Sequence, residues 1–214
     1  MKNVLLIGLG RFGRHAAMKL HELGHQVMAV DKNEQNVSAV LPYVTEALIG
    51  DSTKPEFLSL LEIESYDLCI VAIGDDFQGS LETTALLKDM GAKYVVSRAA
   101  RGVHEKLLRN NGADQVIYPE KQLAEWTAVR FSSDNILDYL AIDGEFAVYE
   151  ISIPQKWIGK SLLELNIRRR FQINVIAVKE EKQLCLDVNP DAPLTENQSL
   201  LVIGRAGDIQ KCLR

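Results

Sequence analysis

The segment Gly8-Leu9-Gly10-Arg11-Phe12-Gly13 carries three glycines at G-x-G-x-x-G spacing, directly after an apolar run at residues 4–7. In that context the spacing reads as a phosphate cradle. Gly8 permits a tight turn, Gly10 lets a diphosphate approach the main chain, and Gly13 lets the next helix pack close to the strand. The helix start then offers free N–H groups and a positive dipole end to an anion. Asp31 closes the next apolar run, QVMAV, about 20 residues on, where a carboxylate accepts hydrogen bonds from ribose hydroxyls. Arg11 lies inside the turn. Its guanidinium stays charged and grips phosphate oxygens as a fork, so it can reach a terminal phosphate. Together these residues predict an adenine-nucleotide site.

Two more loops belong with it. Gly50-Asp51-Ser52-Thr53 follows a third apolar run, and Gly74-Asp75-Asp76 follows a fourth, LCIVAI. In an open parallel sheet, ligands bind where the strands end. Asp51 is placed to bond an adenine amino group, or to make a turn. Ile73 and Gly74 are placed to cover the ring. The candidate contacts are thus Gly8, Gly10, Arg11, Phe12 and Gly13 in the turn, Asp31 and Lys32, Asp51 and Ser52, Ile73 and Gly74, and Arg98 after the fifth strand.

The elements that must position them alternate strictly. Strands are predicted at 4–7, 26–30, 47–49, 68–73, 94–97 and 115–118. Helices are predicted at 11–23, 33–41, 55–61, 76–90 and 102–110. Such alternation with tight connections makes a Rossmann-like, doubly wound parallel sheet of six strands. Pro119 opens a further helix to about residue 133. Leu123, Trp126, Thr127 and Arg130 fall near one stripe, which makes this crossover helix a candidate dimer element, with an ordinary last helix on the sheet as the alternative. From about residue 142 the pattern changes to a small α+β lobe. Its strands are EFAVYEISI, NVIAV, QLCLDV and SLLVIG, with a short helix at KSLLELNI. The expected domains are 1–134 and 135–214.

The chain has 214 residues and a formal charge of −5. From Asp143 onward acids and bases balance, so the whole excess lies before it. This argues against a nucleic-acid binder, which needs a basic face. No apolar run approaches the roughly 18 residues of a membrane span. The start MKNVLLIGLG is not read as a signal peptide, because glycines interrupt it. Cys69, Cys185 and Cys212 form no CxxC pair, which suits a reducing cytosol. His15, His21, His25 and His104 are scattered and suggest no metal set. No Ser/His/Asp or Cys/His arrangement and no GxxxxGK[ST] is visible, and the second lobe contains no histidine. These absences favour a nucleotide sensor over an enzyme. An NAD(P)-dependent oxidoreductase remains the enzymatic alternative.

GLGRFG, VD at the second strand, GDST, VAIGDD and GADQVIYPEK, then a crossover helix and a small lobe, resemble the RCK (regulator of K+ conductance) family. The chain looks like the cytosolic regulatory subunits of Ktr/Trk-type potassium uptake systems along its whole length, with a TrkA-N-like and a TrkA-C-like lobe. The resemblance implies a homodimer, an octameric ring of four such dimers, and a membrane K+-translocating partner. The protein would then be peripheral on the inner face of the membrane. It implies ATP/ADP binding in the first lobe, with NAD or NADH as the alternative. It implies a role for Arg11 at a γ-phosphate, and for Glu120 as ligand of Mg2+ or Ca2+ at the dimer interface. It also implies cyclic di-AMP binding between second lobes, at Leu162, Leu163, Arg168, Asn174, Val175 and Pro190. Arg169 departs from that pattern, since a small residue is usual there. Regulation of a different membrane transporter stays open.

Overall fold

Val4 and Leu6 point to one side of the first strand and Leu5 and Ile7 to the other, and all four are buried. A strand apolar on both faces needs cover on both, which is the condition for a parallel sheet with helices on each side. The computed structural model describes residues 1–181 and 183–213 and divides into two compact units, Met1–Lys121 and Gln122–Arg214.

The first unit alternates β1 (Asn3–Ile7), α1 (Arg11–Glu22), β2 (Gln26–Asp31), α2 (Glu34–Val40), β3 (Glu46–Ile49), α3 (Pro55–Leu58), β4 (Leu68–Val71), α4 (Phe77–Asp89), β5 (Val95–Arg98), α5 (Gly102–Asn110) and β6 (Gln115–Ile117). The strand order is β3-β2-β1-β4-β5-β6, parallel throughout. The chain runs outward from β1 to β3, then returns to start β4 on the other side of β1. The β1/β4 boundary is therefore the switch point where a crevice opens. The expected six-stranded Rossmann-like sheet is present. The fourth strand stops at Val71, leaving Ile73 in the loop, and the helix expected at 55–61 divides into α3 and a 3-10 turn, Ser59–Leu61. Glu62 follows with a φ of 47° and ends it.

Beside the apolar contact of Leu87, α4 makes two buried hydroxyl contacts, one to the loop after β3 and one to β5. Ser52 Oγ lies 2.8 Å from Thr83 Oγ1, and Thr84 Oγ1 lies 2.8 Å from Ser97 Oγ, all buried. Burial pushes the Cys69 and Cys212 thiols up to about 12, so neither is a nucleophile near neutral pH. Asp114, before β6, ties this edge together: it accepts the Val95 N–H at 2.7 Å and pairs with Lys88 at 3.1 Å. Burial pushes its carboxyl up, but the Val95 N–H and Lys88 outweigh that and hold it below the usual value. Its contribution is therefore whole above the unfolded value of about 3.9 and is lost as pH falls through the folded one. Asp114→Asn is expected to cost about 2 kcal/mol at pH 7, with the gap to the parent closing on acidification. Urea midpoints measured from pH 7 downward check this.

α6 (Pro119–Arg130) follows, and the border between the units lies within it, whereas the sequence assigns the whole helix to the first domain. Its stripe is not an apolar one. Trp126 Nε1 donates to Asp138 Oδ1, the Arg130 guanidinium donates to the Ile136 carbonyl, and Leu123 is exposed. The remaining apolar side chains are spread around the helix, so none of its described residues is fully buried.

The second unit holds β7 (Ile136–Asp143), β8 (Phe146–Ser152), α7 (Leu162–Leu165), α8 (Ile167–Phe171), β9 (Asn174–Glu180), β10 (Gln183–Cys185), β11 (Gln198–Arg205) and α9 (Ala206–Leu213). Its antiparallel sheet has the order β10-β9-β11-β8-β7. Tyr149, Ile151, Leu200, Val202, Ile173 and Ile209 form its core. β7 is absent from the sequence expectation because two register shifts interrupt its alternation. α9 is also absent from it; its signal is only Ile209 and Cys212, three apart and buried.

Candidate nucleotide-binding cleft

At the carboxyl ends of β1 to β5 lies a cleft of about 860 Å³. The glycine turn forms one wall. Gly8 has a φ of 91°, and a Cβ there would sit 3.0 Å from the backbone of Ala72 and Ile73. On Gly13 a Cβ would lie 1.9 Å from the Gly8 carbonyl oxygen. On Gly10 it would meet none of the described residues within 4 Å, so the space above that residue is open. Gly10 caps α1 without any side-chain hydrogen bond, and the first turn holds no acid. The free N–H groups there are joined by Arg11, which is exposed and lines the cleft. This arrangement attracts an anion.

Asp31 ties the turn to the neighbouring strand. Its Oδ2 accepts from the Leu9 N–H at 2.6 Å and from Asn36 Nδ2 at 3.2 Å, and its Oδ1 accepts from the Asn33 N–H at 2.8 Å. The carboxylate therefore shapes the cradle, and it lines the cleft. Lys32 Nζ stands 3.8 Å from Asp76, which caps α4 through the Gly79 N–H. Asp51 Oδ1 accepts from both the Thr53 hydroxyl and N–H, and these hold its carboxyl below the usual range. The turn role foreseen for Asp51 is thus present, and the residue still lines the cleft. Ser52 lines it too, although its hydroxyl is held by Thr83. Ile73 and Phe12 supply apolar wall.

Gly74 does something the sequence does not announce. A Cβ there would lie 1.8 Å from Arg98 Nη1, so the missing side chain makes room for the Arg98 guanidinium. Arg98 Nη2 donates to Glu120 Oε1, and its Nε is buried without a partner among the described residues. Burial pushes the Glu120 carboxyl up, but its own backbone N–H, Arg98 and Arg11 more than offset this and hold it low. Among the described residues there is no cluster of three or more His, Cys, Asp and Glu side chains suited to a metal. Asn36, Thr53 and Asp76 also line the cleft. Thr53 and Asp76 belong to the loops after β3 and β4, whereas Asn36 lies in the first turn of α2.

The second-unit candidates lie near α7, α8 and the start of β9. The Leu163 N–H donates to the Pro190 carbonyl at 3.1 Å, which joins those two segments. Leu162 and Val175 are partly buried against the core; Leu163, Arg168, Asn174 and Pro190 are exposed. Arg169 and Arg170 are exposed beside Arg168.

A TrkA-N domain model matches residues 4–119, and a TrkA-C domain model matches residues 147–214. The chain belongs to the TrkA-N/TrkA-C family. It is 35% identical over 210 residues to the Ktr system potassium uptake protein A of Bacillus subtilis (strain 168), covering 98% of this chain and 95% of that protein. To the Ktr system potassium uptake protein C of the same organism it is 36% identical, with the same coverage. Among solved structures, the GsuK channel matches with a TM-score of 0.71 at 20% identity, over 98% of this chain and 38% of that one. A GsuK channel bound to NAD matches with a TM-score of 0.69 at 19% identity, over 97% and 38%. These structures show that the TrkA-N/TrkA-C chain shares their fold. Among the described residues no helix is long and apolar enough to cross a membrane.

Proposed function

We propose that this TrkA-N/TrkA-C chain is a nucleotide-sensing regulatory subunit of a Ktr/Trk-type potassium uptake system. The observation that carries the reading is the open space over Gly10, framed by an uncapped α1 and two arginines, in a chain that matches Ktr uptake proteins end to end. In this reading Gly8, Gly10 and Gly13 cradle a diphosphate, and Asp31 takes ribose hydroxyls. Asp51 bonds the adenine amino group through the oxygen that Thr53 does not use, and Ile73 lies on the ring. Arg11 and Arg98 take the terminal phosphates, which favours ATP or ADP, with NAD(H) as the alternative.

Glu120 fits a divalent cation only as one ligand, with phosphate oxygens and water as the others. Leu162, Leu163, Arg168, Asn174, Val175 and Pro190 would take cyclic di-AMP, with Arg169 adding charge or bulk. The chain acts as a homodimer within an octameric ring, beneath a membrane K+-translocating partner and without catalysis. A nucleotide gates such an assembly only through unequal affinity for two of its shapes.

Calorimetric titration of the full chain with ATP, ADP, NADH and NAD tests this. Saturable binding of an adenine nucleotide, with unequal affinities across the set, is expected. A cleft that stays empty would sink the sensor reading, and NADH oxidation upon adding a carbonyl substrate would favour an oxidoreductase.

A further inference from the structure

Arg98 ends β5 and reaches into the cleft across Gly74. Its guanidinium carbon stands 6.0 Å from the centroid of the Phe12 ring in the glycine turn. It is paired with Glu120, the acid in the first turn of α6. The two partners are unequal: the Arg98 side chain is 17% exposed and that of Glu120 57%. Arg98 also carries an unmet donor, since its Nε–H is buried with no acceptor among the described residues. Both side chains line the cleft that holds Arg11.

We propose that Arg98 exchanges partners: Glu120 occupies its guanidinium while the cleft is empty, and nucleotide phosphates take it over and release Glu120. This rests on the nucleotide reading above. A phosphate entering the cleft brings negative charge to a place where a carboxylate already sits, and the two compete for one fork. Phosphate oxygens satisfy the buried Nε–H that Glu120 leaves unmet. Arg98 is wedged against Gly74 and Phe12 and stays. Glu120 is the exposed partner and leaves, still favoured by the helix N-terminus that it occupies. The exchange thus converts phosphate binding into a freed carboxylate at the start of α6.

The experiment titrates the full chain in EDTA with ADP and with adenosine, for the parent, Glu120→Gln, Arg98→Gln and the double variant. Glu120→Gln is expected to tighten ADP about tenfold, because the guanidinium no longer has to be won. In the Arg98→Gln background the same change is expected to move ADP affinity by less than about twofold. Adenosine affinity is expected to stay constant across the set. Gly74→Ala displaces the guanidinium without removing its charge. It should abolish the Glu120→Gln gain, which keeps the test open should Arg98→Gln fold poorly.

An equal or larger gain without Arg98 would mean simple repulsion by Glu120 and would overturn the exchange. Weaker or unchanged ADP binding by Glu120→Gln in a parent that binds ADP would overturn the exchange alone. A parent that binds neither ADP nor adenosine would overturn the nucleotide reading, and the exchange with it.

Discussion

A Gly13→Ala chain is expected to lose about 3 kcal/mol of stability together with nucleotide binding. The added methyl would sit 1.9 Å from the Gly8 carbonyl oxygen and 2.9 Å from its carbon. Both are backbone atoms of a turn already held by the Gly8 N–H to the Val30 carbonyl and by Asp31 on the Leu9 N–H. Neither can yield without moving α1 off β1. Gly10→Ala is the matched comparison. None of the described residues lies within 4 Å of its added Cβ, and Gly10 has a φ of −63°, which any residue adopts. Its stability cost is expected to stay under about 1 kcal/mol, while binding is lost because the methyl occupies the phosphate's place. Urea denaturation and calorimetric titration of both variants separate the two effects. Intact binding by Gly10→Ala would show that no phosphate approaches that residue.

Arg11→Ala is expected to weaken ATP by about 10- to 100-fold, and ADP by less. Arg11 is exposed in the first turn of α1, and its side chain makes no hydrogen bond among the described residues. The melting temperature should therefore hold while the ratio of ATP to ADP affinity collapses. An unchanged ratio would remove Arg11 from the terminal phosphate.

The parallel sheet and its phosphate turn were legible because their causes are local. Each strand is an apolar run, each helix of the sheet except α3 has a side-chain cap or a glycine stop, and the G-x-G-x-x-G spacing stands between the right two elements. Asp31 was legible as a strand-end acid, though its hold on the Leu9 N–H depends on how β1 and β2 align. The pairing of Arg98 with Glu120 was not legible. The residues stand 22 apart on different elements, and only the parallel β5/β6 register brings them together. The buried hydroxyl pairs under α4 were hidden for a similar reason, since Ser and Thr read as surface residues until a partner is seen. β7 was obscured by its bulges, and the polar bonds of Trp126 and Arg130 by a helical wheel that counts only apolar area.

The missing side chain at position 74 has an evolutionary corollary. Because the Arg98 fork fills the volume that a Cβ would need, positions 74 and 98 form a single steric unit. Any larger residue at 74 demands a shorter or differently aimed one at 98, so substitutions there should co-vary, and their energies should not add.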